Sequence, residues 1–225
     1  MTHPGTQSGS MRDAVAALKR ERIVKAAVEL FYEHGYESTT LDAVGERLGV
    51  TKPFIYSYFK SKADLLAEIC SRGIGSSLRA IDKVVAARQS PTEQLASFAR
   101  EFAVAVLENQ AHIAIFTREE KNLELKDLRR INDMRREFDR KLTALLDDGV
   151  AAGEFEIRDT RIASLMIGGM VSWAYVWYRR SGRLELSDIA QRIAGLTLAM
   201  ARCRTATDSG ASVKRPRPVR QARSV

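Results

Sequence analysis

The run TTLDAVGERLGVTKPFIYSYFKSKADLL, residues 39–66, leaves the chain few ways to fold. Thr40 is a good N-cap, and it places Leu41, Val44 and Leu48 on one face of a short helix. Gly49 stops that helix. Thr51 opens a second, with Pro53 in its first turn, where a missing N–H leaves nothing unpaired. Ile55 and Phe59, four apart, face inward. Ser61 then opens a longer helix, with Asp64 as its capping-box acid. Gly45 lets the two short helices approach closely, and Leu41, Val44, Leu48, Val50, Ile55 and Phe59 form an inner set that fixes their angle. Two short helices crossing at a tight glycine turn are the helix-turn-helix arrangement, whose second helix enters the DNA major groove.

The rest of the chain reads as helix. From Leu18 onward, Ile23, Ala27, Leu30 and Phe31 form one apolar stripe behind the solvated start Lys19, Arg20, Glu21 and Arg22, and Gly35 ends it. Ser90, Pro91 and Glu93 place a cap, a first-turn proline and a reciprocal acid before the apolar run Leu95–Leu107. Further helices are expected near 111–118, 124–151, 160–179 and 188–201, with Gly153 and Gly182 in the breaks. There is no strand alternation and no internal repeat. The predicted fold is all-α, with about nine helices. A flexible arm (1–17) precedes a three-helix unit (18–64, helix-turn-helix about 41–60), a larger helical body (65–203) and a basic, disordered tail (204–225).

Charge says less about partners than its total suggests. The chain of 225 residues carries a net +8, but residues 204–225 alone hold six basic residues and one acid. Catalysis finds no support. His3, His34 and His112 are the only histidines and pair at no metal-ligand spacing. There is no H-E-x-x-H, no phosphate-binding glycine loop and no G-x-S-x-G. Cys70 and Cys203 fit no metal or redox motif and read as reduced intracellular thiols. Neither a metal nor a cofactor is expected. The N-terminus MTHPGTQSGSMRDAV has no apolar core of a signal peptide, which points to the cytoplasm. Acids in 124–148 alternate with bases and read as the solvated face of a long helix.

The segment from Ile162 to Tyr178 carries no charge and contains both tryptophans. A membrane span needs about 20 apolar residues, and this one is shorter, with arginines at both ends. A helix apolar all round is expected to be buried all round, one face in its own domain and another against a second chain. Ala163, Gly168, Gly169, Ser172 and Ala174 permit close approach of such a helix, as do Ala190, Ala194, Gly195 and Ala199 on the last one. Trp173, Trp177 and Tyr178, followed by Arg179, Arg180 and Arg183, set aromatic faces beside guanidinium groups. That chemistry suits a flat anionic ligand, and it equally suits core aromatics beside a solvated helix end.

The outer face of the second short helix shows Lys52, Phe54, Tyr56, Ser57 and Tyr58, groups that reach phosphate oxygens and thymine methyls. Here residues 39–66 resemble the DNA-binding module of the TetR family of bacterial regulators, with Thr40, Gly49, Val50, Tyr56, Phe59, Lys62 and Leu65 where that motif places them. Gly45, usually alanine, and Phe54, usually smaller, depart from it. The resemblance implies that Thr51, Lys52, Pro53, Phe54 and Tyr58 approach bases or adjacent phosphates. It also implies that Tyr56 and Lys62 grip the backbone and that Thr40 caps its helix against a phosphate. A cation in the first turn of a helix opposes the macrodipole, so Lys62 is expected to meet an external anion.

Residues 117–123, 145–155 and 168–184 resemble the C-terminal domain of TetR regulators of lipid, steroid-ring or aromatic-acid catabolism. This implies a homodimeric repressor, paired through the last two helices (Gly168, Gly169, Ser172, Ala190, Ala194, Gly195), bound to a palindromic operator and released by an acyl-CoA thioester. A pocket is expected among helices four to eight, apolar toward Phe98, Phe102, Ile113 and Phe116. Arg118, Trp173, Trp177 and Tyr178 are expected near its mouth. A multidrug-type sensor governing an efflux pump is the alternative.

Overall fold

The computed structural model describes residues 6–87 and 89–202, with side chains over 11–87 and 89–201. Every regular element among them is helical: α1 (Thr6–His34), α2 (Leu41–Leu48), α3 (Lys52–Tyr56), α4 (Lys62–Val85), α5 (Pro91–Glu108), α6 (Gln110–Glu119), α7 (Leu125–Ala151), α8 (Thr160–Ser172), α9 (Ala174–Trp177) and α10 (Leu186–Arg202), with a 3-10 turn at Glu120–Asn122. The caps read from the sequence hold. Thr40 Oγ1 accepts from Ala43 N, Ser61 accepts from Asp64 N, and Ser90 with Glu93 completes a reciprocal box. Gly49 ends α2 in the left-handed conformation (φ 65°), which a residue without Cβ adopts at no steric cost.

Three expectations need correction. The chain is helical from Thr6 rather than Leu18, so residues 6–17 are not an unstructured arm. Residues 11–18 are exposed throughout, and a helix that buries nothing leaves no apolar stripe to read. Thr51 precedes α3 but makes no side-chain cap bond. The apolar helix expected over 160–179 is interrupted at Trp173. The tail from 204 onward lies outside the described residues.

Two apolar cores meet on α4. One gathers Ile23, Phe31, Val44, Ile55, Phe59, Leu65 and Ile69, and it takes in Ile115, Phe116 and Ile131 from α6 and α7. The other joins Ile81, Phe98, Phe102, Phe138, Leu142, Ile167, Val171 and Ile193. Ile74 packs against both. The helix-turn-helix is therefore seated on the body through α4 and α6, and the boundary expected between residues 64 and 65 cuts one helix and one core. Burying Ile55 and Phe59 fully contributes about 1.5–3 kcal/mol each, which holds α3 against its neighbours despite its five residues.

Candidate DNA-reading surface and effector cavity

α3 turns one face inward through Ile55 and leaves Thr51, Lys52, Pro53, Tyr56 and Ser57 exposed. Thr40, also exposed, stands at the neighbouring N-terminus of α2. Phe54 and Tyr58 are half-buried and pack on each other, with ring centroids 5.3 Å apart, so part of each is spent on stiffening the helix. Lys52 Nζ lies 2.8 Å from Asp42 Oδ2, and this hydrogen bond and charge raise the lysine's pKa. The single cation of α3 is thus already paired with an acid of α2.

Lys62 differs from its expected role. Its Nζ donates to Tyr36 O (2.9 Å) and Glu37 O (3.2 Å) and sits 4.3 Å from the Tyr36 ring. Two carbonyls and an aromatic face satisfy the ammonium, so no external anion is required there. Lys62 fastens the α1–α2 turn to the start of α4.

Sequence reasoning missed a clamp behind α3. Arg20 donates to Tyr58 O (3.2 Å) and to Glu68 Oε2 (3.0 Å), with its guanidinium 4.3 Å from the Phe59 ring. Glu68 also accepts from Arg72 Nε (3.0 Å), and Arg72 pairs with Glu21. These ion pairs hold Glu68 below its ordinary pKa, although burial alone would raise it. The i, i+4 spacing of Glu68 and Arg72 was the available signal.

Directly after Arg72, α4 lines a mainly apolar cavity of about 440 Å³. Gly73, Ile74 and Ser77 form one wall, Phe102 and Ile113 another, and Phe138, Gly168 and Trp173 enclose it further. That volume falls within the range of small-molecule sites, about 300–1,000 Å³. Of the residues expected to bind ligand, Phe102, Ile113 and Trp173 line the cavity. The others do not. Phe98 is core, stacked on Phe102 at 5.4 Å. Phe116 belongs to the N-terminal core. Arg118 stacks on Tyr32 at 5.3 Å and donates to its carbonyl. Trp177 and Tyr178 line a separate groove beyond α9.

Two charged residues line the cavity unannounced. Arg135 and Asp139 stand on α7, whose acids were expected only on a solvated face. Arg135 keeps the register of the inward stripe Ile131, Phe138 and Leu142, and that was the sign of it. Burial raises the Asp139 pKa, and the Arg135 charge opposes the rise.

Beside the cavity, α8, α9 and α10 expose an apolar face. Ile162, Leu165, Met166, Trp173 and Trp177 are more than half exposed, as is Leu196 on α10. They follow helical spacing, with Gly169 and Gly195 in the same stripes and open space above both glycines. Ala190 and Ala194 turn the other way, against α5, and are buried in their own chain. Their small size serves that internal packing instead. Gly168 and Ser172 lie at the cavity wall. Among the described residues no helix is long and apolar enough to cross a membrane.

Known proteins share this architecture. Residues 23–69 match the family profile for bacterial regulatory proteins of the tetR family, and residues 88–201 match the tetracyclin repressor-like C-terminal domain. The Fatty acid metabolism regulator protein of Bacillus subtilis is 27% identical over 181 residues, covering 78% of this chain and 91% of its own length. A transcriptional regulator of the TetR/AcrR family from Thermobifida fusca superposes with a TM-score of 0.65 at 34% identity, over 80% of this chain and 96% of that one. AibR, solved in complex with isovaleryl coenzyme A and operator DNA, shares the fold at 22% identity and a TM-score of 0.67, over 81% and 97% of the two chains.

Proposed function

The chain belongs to the TetR family of DNA-binding transcriptional regulators, not to an enzyme family, and from that premise we propose that it is a homodimeric, cytoplasmic repressor of catabolic genes released by an acyl-CoA thioester. Residues 18–64 read the operator, through the exposed side of α3 (Thr51, Lys52, Pro53, Tyr56), the rims of Phe54 and Tyr58, and Thr40. Residues 65–203 hold effector and partner. The observation that carries this reading is the cavity against Gly73, Ile74 and Ser77, on the same helix whose Glu68 is joined through Arg20 to the end of α3. An occupant that shifts α4 moves the seat of the reading helix, and operator then weakens effector by the same factor that effector weakens operator. The fatty-acid regulator among the relatives and the coenzyme A thioester bound by AibR support the effector class.

Pairing is supported by the exposed apolar stripe on α8, α9 and α10. The dimer face comprises Gly169, Gly195 and the large side chains beside them. It does not include Ala190 and Ala194. Two copies related by a two-fold axis present two α3 helices to successive major grooves, as a palindromic operator requires.

The test uses duplexes selected from a random pool, with binding followed by fluorescence anisotropy. Saturated acyl-CoA thioesters of increasing length should release the DNA. Each buried methylene contributes about 0.8 kcal/mol, so two more carbons should tighten binding about fifteenfold until the cavity is full. Sedimentation should give twice the chain mass, and Leu196→Glu should halve it. If no thioester binds or alters the DNA complex, the effector assignment fails and the DNA-binding assignment stands. The Asp139 carboxylate favours one second reading, a sensor of cationic drugs controlling an efflux pump. A lipophilic cation that releases DNA from wild type but not from Asp139→Asn would establish it.

A further inference from the structure

Where α9 ends against α1 and α6, the chain forms a second cleft of about 460 Å³. Tyr32 of α1, Gln110 of α6, Tyr175 of α9, and Arg179 and Arg180 just beyond α9 line it. Tyr175 also lines the apolar cavity, so the two hollows share a wall. Their chemistry differs. The cavity is mostly aliphatic and aromatic, with Arg135 and Asp139 as its charged groups, whereas the cleft sets Arg179 and Arg180 beside tyrosines.

Both cations of the cleft are free to meet an anion. Arg180 is exposed, with no hydrogen bond or ion pair among the described residues. Arg179 uses one nitrogen on Val176 O (2.9 Å) and Tyr178 O (3.0 Å) and meets no carboxylate there. Gln110 Nε2 donates to Tyr175 O and Tyr178 O, both at 3.2 Å, which fixes the backbone that carries both arginines. Arg118 braces Tyr32 from the other side. A helix dipole does not account for this concentration of positive charge, because α9 has only four residues. Forked donors beside aromatic faces match phosphate oxygens and a flat heterocycle.

We infer that this cleft receives the phosphate-bearing nucleotide end of the effector, while the acyl end lies across Tyr175 in the cavity. The inference rests on the thioester reading above and adds a consequence. Tyr32 belongs to α1, the helix whose Arg20 holds the end of α3. An anion drawn between Arg179, Arg180 and Tyr32 therefore contacts the DNA-reading unit directly, independently of α4. Such a contact changes operator affinity to the degree that it differs between the DNA-bound and free conformations.

The experiment compares three probes on the full chain by calorimetry: octanoyl-coenzyme A, S-octanoyl-N-acetylcysteamine, which lacks the nucleotide, and adenosine 3′,5′-bisphosphate. Wild type should prefer the coenzyme A thioester to the truncated one by about tenfold or more at low salt. The double variant Arg179→Ala, Arg180→Ala should bind both thioesters alike, with affinity for the truncated one unchanged, which also reports an intact fold. The corresponding double lysine variant should recover part of the preference. A double alanine variant that keeps the full preference overturns the inference. If wild type ignores both thioesters yet binds the bisphosphate, and the variant loses it, the acyl effector is refuted while the anion cleft stands. If neither the bisphosphate nor the coenzyme A thioester binds, the cleft is refuted too.

Discussion

Gly73 and Gly168 are helical glycines at the cavity wall, and adding a methyl to either should stabilise the chain while spoiling its sensor. A glycine inside a helix costs about 1 kcal/mol relative to alanine. An ideal Cβ on Gly73 would lie 3.6 Å from Ile113 Cγ1 and 3.9 Å from His112 Cβ, and one on Gly168 would lie 3.9 Å from Phe138 Cε1. These are ordinary van der Waals contacts, so sterics offset none of the gain. Each substitution should add about 1 kcal/mol and raise the Tm by about 2–4 °C in a chain of this size. Gly149 supplies the contrast. Its Cβ would fall 2.0 and 2.1 Å from two ring carbons of Phe155, which is only 3% exposed. The ring would have to leave its site, and Gly149→Ala should lose about 1–3 kcal/mol. Thermal unfolding by circular dichroism, at one chain concentration throughout, measures all three. Titration of Gly73→Ala and Gly168→Ala with acyl-CoA should then show weaker binding than wild type, because both methyls occupy cavity space. A lower Tm for Gly73→Ala would refute the packing argument. A raised Tm with wild-type affinity would place the effector elsewhere.

Asp42→Asn should free Lys52 for phosphate, tightening binding to any duplex and steepening the log–log salt dependence by about 0.9; an unchanged slope in anisotropy titrations would refute it. Tyr56→Ala removes a side chain that is 44% exposed, so folding should survive while affinity falls on selected and random DNA alike, read by gel shift. Asp139→Asn should stabilise the chain near neutral pH. Burial lifts the folded-state pKa above its unfolded value, so ionisation opposes folding increasingly as pH rises through that interval. The gain in Tm should shrink as pH is lowered and vanish only below the ordinary Asp value of 3.8, where both states carry the proton, and a gain independent of pH would contradict this origin.

The helix-turn-helix was legible because each of its boundaries is a local chemical event. Thr40, Gly49 and Pro53 act within a turn of themselves, and the spacing of Ile55 and Phe59 states which side is inside. The candidate effector cavity was legible only in part, since a cavity is made by helices far apart in sequence. Phe102, Ile113 and Trp173 reach it, but the equally apolar Phe98 and Phe116 do not, and side-chain type alone does not separate them. Arg118 and Arg135 show the same limit. Both lie over an aromatic ring, Arg118 over Tyr32 and Arg135 over Phe116, yet only Arg135 keeps the inward register of α7 and lines the cavity. Small residues also mislead in one direction. Ala190 and Ala194 allow close packing, but whether the close neighbour is α5 or another chain is decided by the tertiary fold. On the same helix Leu196 is a large apolar side chain left exposed.

The break at Trp173 gives the chain a built-in reporter. Both indoles of the protein lie here, Trp173 at the break and Trp177 at the end of α9, each more than half exposed, and the DNA-reading unit contains none. Intrinsic emission excited in the indole band therefore originates wholly from the junction of the cavity and the proposed pairing face. Dissociation into single chains should leave both rings in water and shift the spectrum to the red. Arrival of an effector should alter Trp173 more than Trp177, and occupancy of DNA alone should register only through what α4 transmits. One label-free signal, resolved with single Trp→Phe replacements, can thus time ligand arrival and subunit exchange apart from operator release.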